Sequence, residues 1–548
     1  MRSRIRRMLA AAATAAASAV MLVTLSAAPG HADPAVASAA ALTGYSSTPV
    51  SYKVKLKWAS CGATAPAPFQ CATAPAPLDY RHPAGQRIQL ALIRLPAANP
   101  KQRIGSLFIN FGGPGGSGVS LLPQRATTVF SAAIRNHFDL VSWDTRAVGR
   151  STAVRCFPSQ AASNAYFASV PYFPYPQSQD RSFWTLSAQL GRDCEQRAGT
   201  LLPHMSSQDT ARDLDLLRQD VGDAKLNYMG FSYGTVIGAI YANLFPRNIR
   251  AMVLDGTLDF VANATGNRPG DARKYPVDVR GGVDVAGQDV LNRFFSLCAA
   301  AAGKCAFSSG GNLPGKWAAL LARSKTKPIT VNGGTYFYST IVAITYYNLY
   351  KPMTAWPALG TLLQQLYQAS SGQPAAMTPA VSRQMAQARA TAQQEYLDNA
   401  QEAYYAIQCA DIEAPTAESV YDNLANIENQ KVPGFGRFVT YDMAACGTWP
   451  ALHTDAYDGP WNRSLATILV INSRHDPATP YQGAVAGTRE LGNARLLTVN
   501  GDGHTSEYSE PSACRDTAKQ AYLISLKLPA RGTVCPVDQL PWGVRASS

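Results

Sequence analysis

The feature that most constrains this chain is the pentapeptide Gly-Phe-Ser-Tyr-Gly at residues 230–234. It lies between a short apolar run, 226–229, and a helical run, 235–245. A serine on a sharp strand-to-helix turn of this kind is held with its hydroxyl exposed, as a nucleophile elbow. The glycines have a steric reason, because a Cβ two residues away from Ser232 would collide with its neighbours. Ordinary glycine-rich turns also match this pattern, so the interpretation depends on the strand and helix around it.

Ser232 needs a base to remove its proton and an acid to orient that base. We predict His504 as the base, because it lies among glycines in a loop directly after the apolar run 495–499. We predict Asp476 as the acid, because it follows the run 467–472 and the proline after it fixes the turn. The order serine, acid, histidine is that of α/β-hydrolases, in which each group follows a strand.

Other acids and histidines of the chain are less suited to these roles. Asp255 follows an earlier strand and is the alternative acid, whereas Asp502 is too close to His504 to face its ring. His475 is adjacent to Asp476 on the chain and therefore points away from it. The remaining histidines lie in the N-terminal leader, at polar turns or at helix ends: His31, His82, His137, His204 and His453.

A glycine-rich loop at residues 111–118 follows a predicted strand and leaves backbone N–H groups unobstructed. Acyl transfer needs such donors for the developing oxyanion, and we assign the N–H groups of Gly113 and Tyr233 to this role. As a phosphate-binding loop the segment fits badly, because it has neither a G-K-[ST] ending nor a G-x-G-x-x-G register opening a helix. We therefore expect no nucleotide cofactor and no metal.

The pattern of elements predicts an α/β-hydrolase fold with a mostly parallel sheet and a large helical cap. Short apolar strands alternate with helices over 33–257 and 464–548, which we assign to the hydrolase core. The middle, 258–463, is rich in Ala, Gln and Tyr and reads as a helical insertion that roofs the site. Predicted strands are 88–95, 106–111, 138–143, 226–229, 251–254, 467–472 and 495–499, and the Pro- and Ala-rich stretch 63–77 is expected to form a loop.

Residues 1–32 read as a secretory signal peptide. Four arginines precede an Ala-rich apolar stretch at 8–28, and small residues precede Asp33. A membrane anchor is the alternative, but a proline and polar residues follow at once. We expect a secreted protein without stable membrane insertion.

The mature chain keeps ten cysteines, so an exported protein is expected to form disulfides. Zinc is a poor alternative, since there is no C-x-x-C pair and no histidine at ligand spacing. Local pairing is the simplest of the many pairings: Cys61 with Cys71, Cys156 with Cys194, Cys298 with Cys305, Cys409 with Cys446, and Cys514 with Cys535.

Removing residues 1–32 lowers the formal net charge from +13 to +9, because four arginines and no acids are lost. This charge is spread thinly, and no basic helix is interleaved with aromatic residues. We expect no nucleic-acid partner.

Several of these motifs together resemble the secreted bacterial tripeptidyl aminopeptidases, which are α/β-hydrolases related to proline iminopeptidases. The resemblance covers nearly the whole mature chain, and its strongest segments are 110–118, 144–151, 230–235, 476–480 and 503–504. It implies a triad of Ser232, Asp476 and His504 that releases short peptides from free N-termini. Phe111, Thr145 and Ala147 depart from the usual residues of the family, so the shape of the pocket and the length of its substrate stay open.

An exopeptidase must also bind an ammonium group, and burying one without a counter-charge is prohibitive. A carboxylate of the roof is therefore expected, although any single one of the four candidates belongs more often to a solvated helix face: Glu395, Glu402, Asp411 and Glu413. The expected activity is serine exopeptidase action on peptide or protein N-termini. An esterase or acyl-modifying enzyme with the same triad is the alternative, and a non-catalytic binding protein is the third hypothesis.

Overall fold

The computed structural model describes residues 54–331, 333–372, 398–451 and 455–544. Ten of its strands form one sheet in the order β1-β2-β3-β5-β4-β6-β7-β10-β11-β12. In chain order the strands are β1 (Ala59–Ser60), β2 (Gln70–Pro77), β3 (Arg87–Leu95), β4 (Gly105–Asn110), β5 (Phe138–Trp143), β6 (Leu226–Phe231), β7 (Ile249–Asp255), β8 (Ile329–Val331), β9 (Gly334–Tyr336), β10 (Ile468–His475), β11 (Ala494–Asp502) and β12 (Val534–Pro536). Strands from β5 to β12 in the sheet order pair in parallel, whereas β1, β2 and β3 pair antiparallel. The mostly parallel sheet confirms the predicted fold class.

The central strands are buried on both faces. All six residues of β4, of β5 and of β6 are buried. Successive side chains of a strand point to opposite faces, so Phe108 packs in one core with Tyr228 while Ile109 packs in another with Met229. These near-continuous apolar runs are what made the strands predictable from the sequence.

The α-helices cover the sheet and form the roof. They are α1 (Gly118–Arg125), α2 (Ala132–His137), α3 (Gln160–Ser169), α4 (Asp180–Ala198), α5 (Ser207–Asp220), α6 (Gly234–Leu244), α7 (Phe260–Ala264), α8 (Asp271–Lys274), α9 (Val277–Gly281), α10 (Val283–Ala301), α11 (Leu313–Thr326), α12 (Tyr338–Leu349), α13 (Trp356–Ser370), α14 (Ala400–Asp411), α15 (Glu418–Lys431), α16 (Phe435–Asp442), α17 (Tyr481–Glu490), α18 (Thr505–Tyr508) and α19 (Ala513–Ser525). No helix within these described ranges is long and apolar enough to cross a bilayer.

The roof consists of α7 to α16 and the hairpin β8–β9, all between β7 and β10 in the chain. It has its own aromatic core, in which Phe294 packs edge-on against Trp356 and Tyr346 against Phe435. Helix α4 joins this core from the preceding part of the chain, because Trp184 packs on Tyr421. The roof therefore packs as a second layer with its own apolar interior.

One sequence expectation, the loop at 63–77, needs correction. Residues 70–77 form β2 and not a loop, pairing along their full length with β3. Ala72, Ala74 and Ala76 turn inward in strict alternation, and Pro75 and Pro77 lie beyond the short pairing with β1, where a missing N–H is tolerated. Within the insertion predicted to be helical, residues 373–397 lie outside the described part, and α14 follows them.

All five predicted disulfides are formed. Each joins cysteines no more than 38 residues apart along the chain. They stabilise local segments mainly by restricting the unfolded chain, at about 2 to 4 kcal/mol each.

Candidate active site

Ser232 follows β6 with φ of +52°, in the left-handed region that non-glycine residues rarely adopt. The turn is tight enough to exclude side chains on both flanks. A Cβ on Gly230 would lie 2.4 Å from the Gly234 carbonyl oxygen, and one on Gly234 would lie 2.8 Å from the Asn110 carbonyl oxygen. The predicted steric reason for the two glycines is confirmed, and the serine hydroxyl is left facing a cavity.

His504 and Asp476 are in direct contact at the carboxyl ends of β11 and β10. The Nδ1 atom of His504 lies 2.9 Å from each carboxylate oxygen of Asp476. The backbone N–H groups of Ala478 and Thr479 also donate to Asp476, each at 2.9 Å. This arrangement assigns the proton of the neutral ring to Nδ1, which leaves Nε2 free to accept one.

Thr479 links the acid and the base. Its hydroxyl donates to Asp476 Oδ2 at 2.9 Å and lies 3.3 Å from His504 Nδ1. Asp476 and His504 are 1% and 3% exposed, so the pair is shielded from bulk water. Ser232 and His504 line the same cavity, and no described residue is hydrogen-bonded to the serine hydroxyl.

The alternative acid and base are engaged elsewhere. Asp255 accepts a hydrogen bond from the Ser506 N–H at 2.9 Å, and its carbonyl oxygen accepts one from the Ser232 N–H. The ring of His475 contacts Asp289 at 2.7 Å, away from Asp476. The geometry therefore favours Asp476 and His504 over both alternatives.

The residues predicted for the oxyanion hole also line the cavity. The Gly112 N–H is held by the Asn110 side chain at 2.9 Å, whereas the N–H groups of Gly113 and Tyr233 meet no acceptor in the part of the chain that the structure describes. Tyr233 is also the N-cap of α6, where the helix dipole favours negative charge. Gly113 and Tyr233 thus each line the cavity and keep a backbone N–H without an acceptor among the described residues.

The loop at Gly112 must come close to Ser232 for this arrangement. A Cβ on Gly112 would lie 2.5 Å from the Phe231 carbonyl oxygen and 2.9 Å from the Ser232 Cβ. Its φ of +80° is a conformation that glycine adopts without strain. A side chain at this position would push the loop away from the serine.

The cavity holds about 480 Å³ and lies between the sheet edge and the roof. A volume in this range suits a small organic ligand or a short peptide. The roof contributes a wall of aromatic side chains, of which all but Phe438 end in a hydroxyl: Tyr346, Tyr347, Tyr350, Tyr404 and Phe438.

Of the four predicted carboxylates, the three that the structure describes, Glu402, Asp411 and Glu413, are not part of the cavity lining. Glu402 is buried and accepts hydrogen bonds from the Cys156 N–H and the Ser163 hydroxyl. Asp411 accepts from the Tyr233 hydroxyl at 2.6 Å and from the Ser207 N–H at 2.7 Å. Glu413 is not part of the lining, and Glu395 lies outside the described residues.

Asp411 is buried against Tyr233, the residue that follows Ser232. Burial raises its pKa to about 6 despite the hydrogen bonds from Ser207 and Tyr233. Because it holds the Tyr233 side chain, it steadies the residue that follows Ser232.

Two other roof carboxylates, Asp278 and Asp442, do line the cavity. They lie within hydrogen-bonding reach of each other, and the Tyr404 hydroxyl donates to Asp442 at 3.0 Å. Burial, and then the neighbouring charge of Asp442, raise the pKa of Asp278 well above its usual value, and burial raises the pKa of Asp442. Sequence reasoning missed both; the one local signal is an acid that ends the largely apolar and aromatic helix α16.

One cluster elsewhere has the residue types of a metal site. Ligand atoms of His204, Asp209 and Asp455 lie within 4.8 Å of one another. Arg146 contacts Asp209 at 3.3 Å and Arg81 contacts Asp455 at 3.6 Å, so these acids already have cationic partners. The cluster reads as an ion-pair network.

Comparison with known proteins gives matches over most of the chain. Residues 106–284 match a family model described as alpha/beta hydrolase fold, and residues 430–535 match one described as TAP-like protein. A tripeptidyl aminopeptidase of Streptomyces lividans is 29% identical over 504 residues, which cover 89% of this chain and 87% of that protein.

Two mycobacterial proteins are similarly related. Serine protease Hip1 of Mycobacterium tuberculosis is 30% identical over 491 residues, covering 85% of this chain and 87% of that protein. Carboxylesterase B of the same species is 30% identical over 473 residues, covering 85% and 86%.

Proposed function

This chain belongs to the tripeptidyl aminopeptidase family of α/β-hydrolases and is a serine hydrolase, and we propose that it is a secreted exopeptidase releasing short peptides, chiefly tripeptides, from free N-termini. Ser232 is the proposed nucleophile, His504 the base and Asp476 the acid. The observation that carries the exopeptidase proposal is the pair of cavity-facing carboxylates, Asp278 and Asp442.

In the first half of the proposed reaction, Ser232 attacks the scissile carbonyl while His504 Nε2 takes its proton. The negative oxygen of the tetrahedral intermediate accepts hydrogen bonds from the N–H groups of Gly113 and Tyr233. As the C–N bond breaks, His504 returns the proton to the leaving amine, and an acyl-enzyme remains on Ser232. Asp476 stays ionised and stabilises the imidazolium formed in between.

In the second half, His504 takes a proton from water as the water attacks the ester. The C–O bond to Ser232 breaks and the serine regains its proton, so the N-terminal peptide leaves as a free acid. The ester and amide chemistries share every one of these groups, and the triad alone therefore does not distinguish a peptidase from an esterase.

The two aspartates supply that distinction. Burial and the Asp442 charge raise the pKa of Asp278 well above its usual value, so in the absence of a cation the two carboxyls share a proton. A substrate ammonium bound between them supplies the positive charge that allows both to ionise. The pair thus selects for a free amine, which a simple short-chain ester lacks.

Export is proposed on two grounds. Residues 1–32 have the composition of a signal peptide, and the chain forms five disulfides, which persist in oxidising compartments. N-terminal sequencing of protein recovered from culture medium tests this. An intact N-terminus at Met1 would contradict it.

The activity is tested with a tripeptide anilide, its N-acetylated form and a short-chain ester. We expect the anilide with a free amine to be cleaved with a kcat/KM at least about 30-fold above that of the acetylated anilide. The reason is that the acetylated anilide leaves the buried charge of the aspartate pair without a partner, which costs about 2 kcal/mol or more. Equal rates on the two anilides, or rapid turnover of the ester alone, would reject it.

The binding role of the aspartates is tested with Asp278→Asn and Asp442→Asn. Each variant should lose most of the preference for the free amine over the acetylated substrate. Asp422→Asn is the matched control, because Asp422 accepts from the Tyr441 hydroxyl at 2.8 Å just as Asp442 accepts from Tyr404, but it does not line the cavity. The control should keep the wild-type preference.

An esterase is the second candidate, favoured by the 30% identity to carboxylesterase B. It predicts that ester turnover survives in Asp278→Asn, since an ester makes no use of the ammonium site. Labelling of the wild type, but not of Ser232→Ala, by a fluorophosphonate would exclude a non-catalytic binding protein.

A further inference from the structure

A second charged region of the cavity lies beside the proposed base. Lys351, Glu507 and Tyr508 line the cavity here, and Arg125 reaches them from the end of α1. Arg125 forms an ion pair with Glu507 and donates to the Tyr508 hydroxyl at 2.9 Å. The Lys351 ammonium lies over the Tyr508 ring, 4.6 Å from its centre.

The positive charge of Lys351 is not balanced within the described part of the chain. Glu507 is paired with Arg125, and no described acid lies within ion-pair distance of the Lys351 ammonium. Lys351 is an exposed residue, and partial desolvation of its ammonium, and then the charge of Arg125, lower its pKa. Arg125, Glu507 and Lys351 together carry one excess positive charge, which an anion in the cavity would neutralise.

This region lies on the side of the proposed base. The backbone carbonyl oxygen of Tyr350 accepts a hydrogen bond from the backbone N–H of His504 at 3.0 Å. The Tyr350 ring also packs edge-on against the His504 ring, with 5.0 Å between the ring centres. Tyr508 ends the short helix α18, which begins directly after His504. Lys351 therefore lies close to His504 in two ways. It follows Tyr350, which contacts His504, and its ammonium contacts Tyr508, which is on the helix after His504.

Because His504 hands its proton to the leaving amine, the leaving peptide must lie next to His504 during bond cleavage. The cation that its far end would meet is Lys351. The anionic group that every short peptide carries at that end is its α-carboxylate.

We propose that Lys351 binds the C-terminal carboxylate of the leaving peptide, so that the enzyme's preferred substrates are short free peptides and not the N-termini of intact proteins. This inference rests on the exopeptidase function proposed above. With Asp278 and Asp442 at the amine and Lys351 at the carboxylate, the cavity carries a charge complementary to each terminus of a zwitterionic oligopeptide.

The test compares each peptide as a free acid and as its C-terminal amide. Tetrapeptides and pentapeptides with the same first three residues vary the leaving group from one residue to two. For at least one length, the wild type should show a kcat/KM about tenfold higher for the acid, because the amide keeps an oxygen acceptor but lacks the negative charge that pairs with Lys351. Raising the salt concentration should shrink this ratio, since screening weakens exposed charge pairs.

Lys351→Met should bring the acid-to-amide ratio close to one, and Lys351→Arg should keep part of it. Lys325→Met is the matched control: the Lys325 ammonium also lies over a tyrosine ring, at 5.1 Å from the centre of Tyr338, but Lys325 is not part of the cavity lining. It should keep the wild-type ratio.

The outcomes separate the two proposals. Cleavage of acids and amides with equal kcat/KM at both lengths would overturn the role of Lys351 and leave the exopeptidase function standing, and so would an unchanged ratio in Lys351→Met. If Lys351→Met does not fold, the acid-to-amide ratio of kcat/KM in the wild type, and its dependence on salt, still test the role of Lys351. Failure to cleave any peptide with a free amine would overturn the proposed function itself.

Discussion

The guanidinium of Arg293 holds both carboxylate oxygens of Asp502, at 2.9 and 3.0 Å. Arg293 belongs to α10 of the roof, whereas Asp502 ends β11, two residues before His504. One turn earlier on α10, Asp289 contacts His475, the residue before Asp476, at 2.7 Å. Helix α10 of the roof thus contacts the chain next to both the proposed acid and the proposed base.

Removing the first of these contacts should loosen the loop of His504. We expect Arg293→Met to lower kcat/KM about tenfold and the free energy of unfolding by about 2 kcal/mol, because Asp502 is fully buried and would lose its charged partner. Urea unfolding and steady-state kinetics measure the two effects. Arg181→Met is the control, because Arg181 pairs with Glu418 but its own side chain is 78% exposed. This substitution should change the free energy of unfolding by less than about 0.5 kcal/mol.

The choice between the two candidate acids can be made by isosteric substitution. Asp476→Asn should lower kcat by about 10³- to 10⁴-fold, because an amide cannot hold the imidazole in the required tautomer or stabilise its charge. Asp255→Asn keeps an oxygen for the Ser506 N–H and should cost less than about tenfold. The reverse order of effects, measured on the anilide substrate, would make Asp255 the acid.

The elbow should not tolerate a methyl group at its flanks. Gly230→Ala places a Cβ 2.4 Å from a backbone carbonyl oxygen, so we expect a loss of at least about 2 kcal/mol or failure to fold. Gly303→Ala meets no atom within 4 Å and should be neutral. Thermal unfolding of the two variants measures the difference, and equal melting temperatures would mean that the turn can relax.

A buried acid behind the His504 loop should make stability depend on pH. Glu510 is fully buried and accepts a hydrogen bond from the Asp502 N–H at 2.7 Å. Burial and the charge of Asp502 raise its pKa from 4.5 to about 9. The folded protein therefore binds more protons than the unfolded chain between these values, and this group favours folding less and less as the pH rises through that window, by at most about 1.4 kcal/mol per pH unit.

Glu510→Gln removes that titration while keeping an oxygen acceptor. The difference in unfolding free energy between pH 6 and pH 8.5 should be smaller in this variant than in the wild type. Glu195→Gln, at an exposed position on α4, should behave like the wild type. An unchanged pH dependence in Glu510→Gln would show that the carboxyl is ionised in the folded protein.

Much of the fold and the central contact of the site could be predicted because their signals are local. Asp476 and His504 each follow an apolar strand within a few residues, and parallel strands bring such positions to one edge of the sheet. The contact between His504 and Asp476 is the geometry that this placement predicts.

The carboxylates facing the cavity could not be predicted in the same way. Asp278 and Asp442 meet only through the packing of α9 against α16, and helical periodicity does not say which acid of an amphipathic roof faces inward. Glu402 and Asp411 have the right chemistry on the right helix, but their side chains turn to Ser163 and Tyr233. β2 was missed because its prolines are typical of a loop. They are tolerated because they lie on an edge of the sheet, where no N–H donor is needed.

The disulfides are local as well, since each joins cysteines no more than 38 residues apart along the chain. Three bridges join cysteines outside the stretch between β7 and β10, two join cysteines inside it, and none joins one part of the chain to the other. Covalent cross-linking therefore stiffens the parts without fixing the width of the slot between them, which is left to contacts such as the one between Arg293 and Asp502. Peptide admission can be tuned by substitutions along that seam while the oxidised framework stays intact.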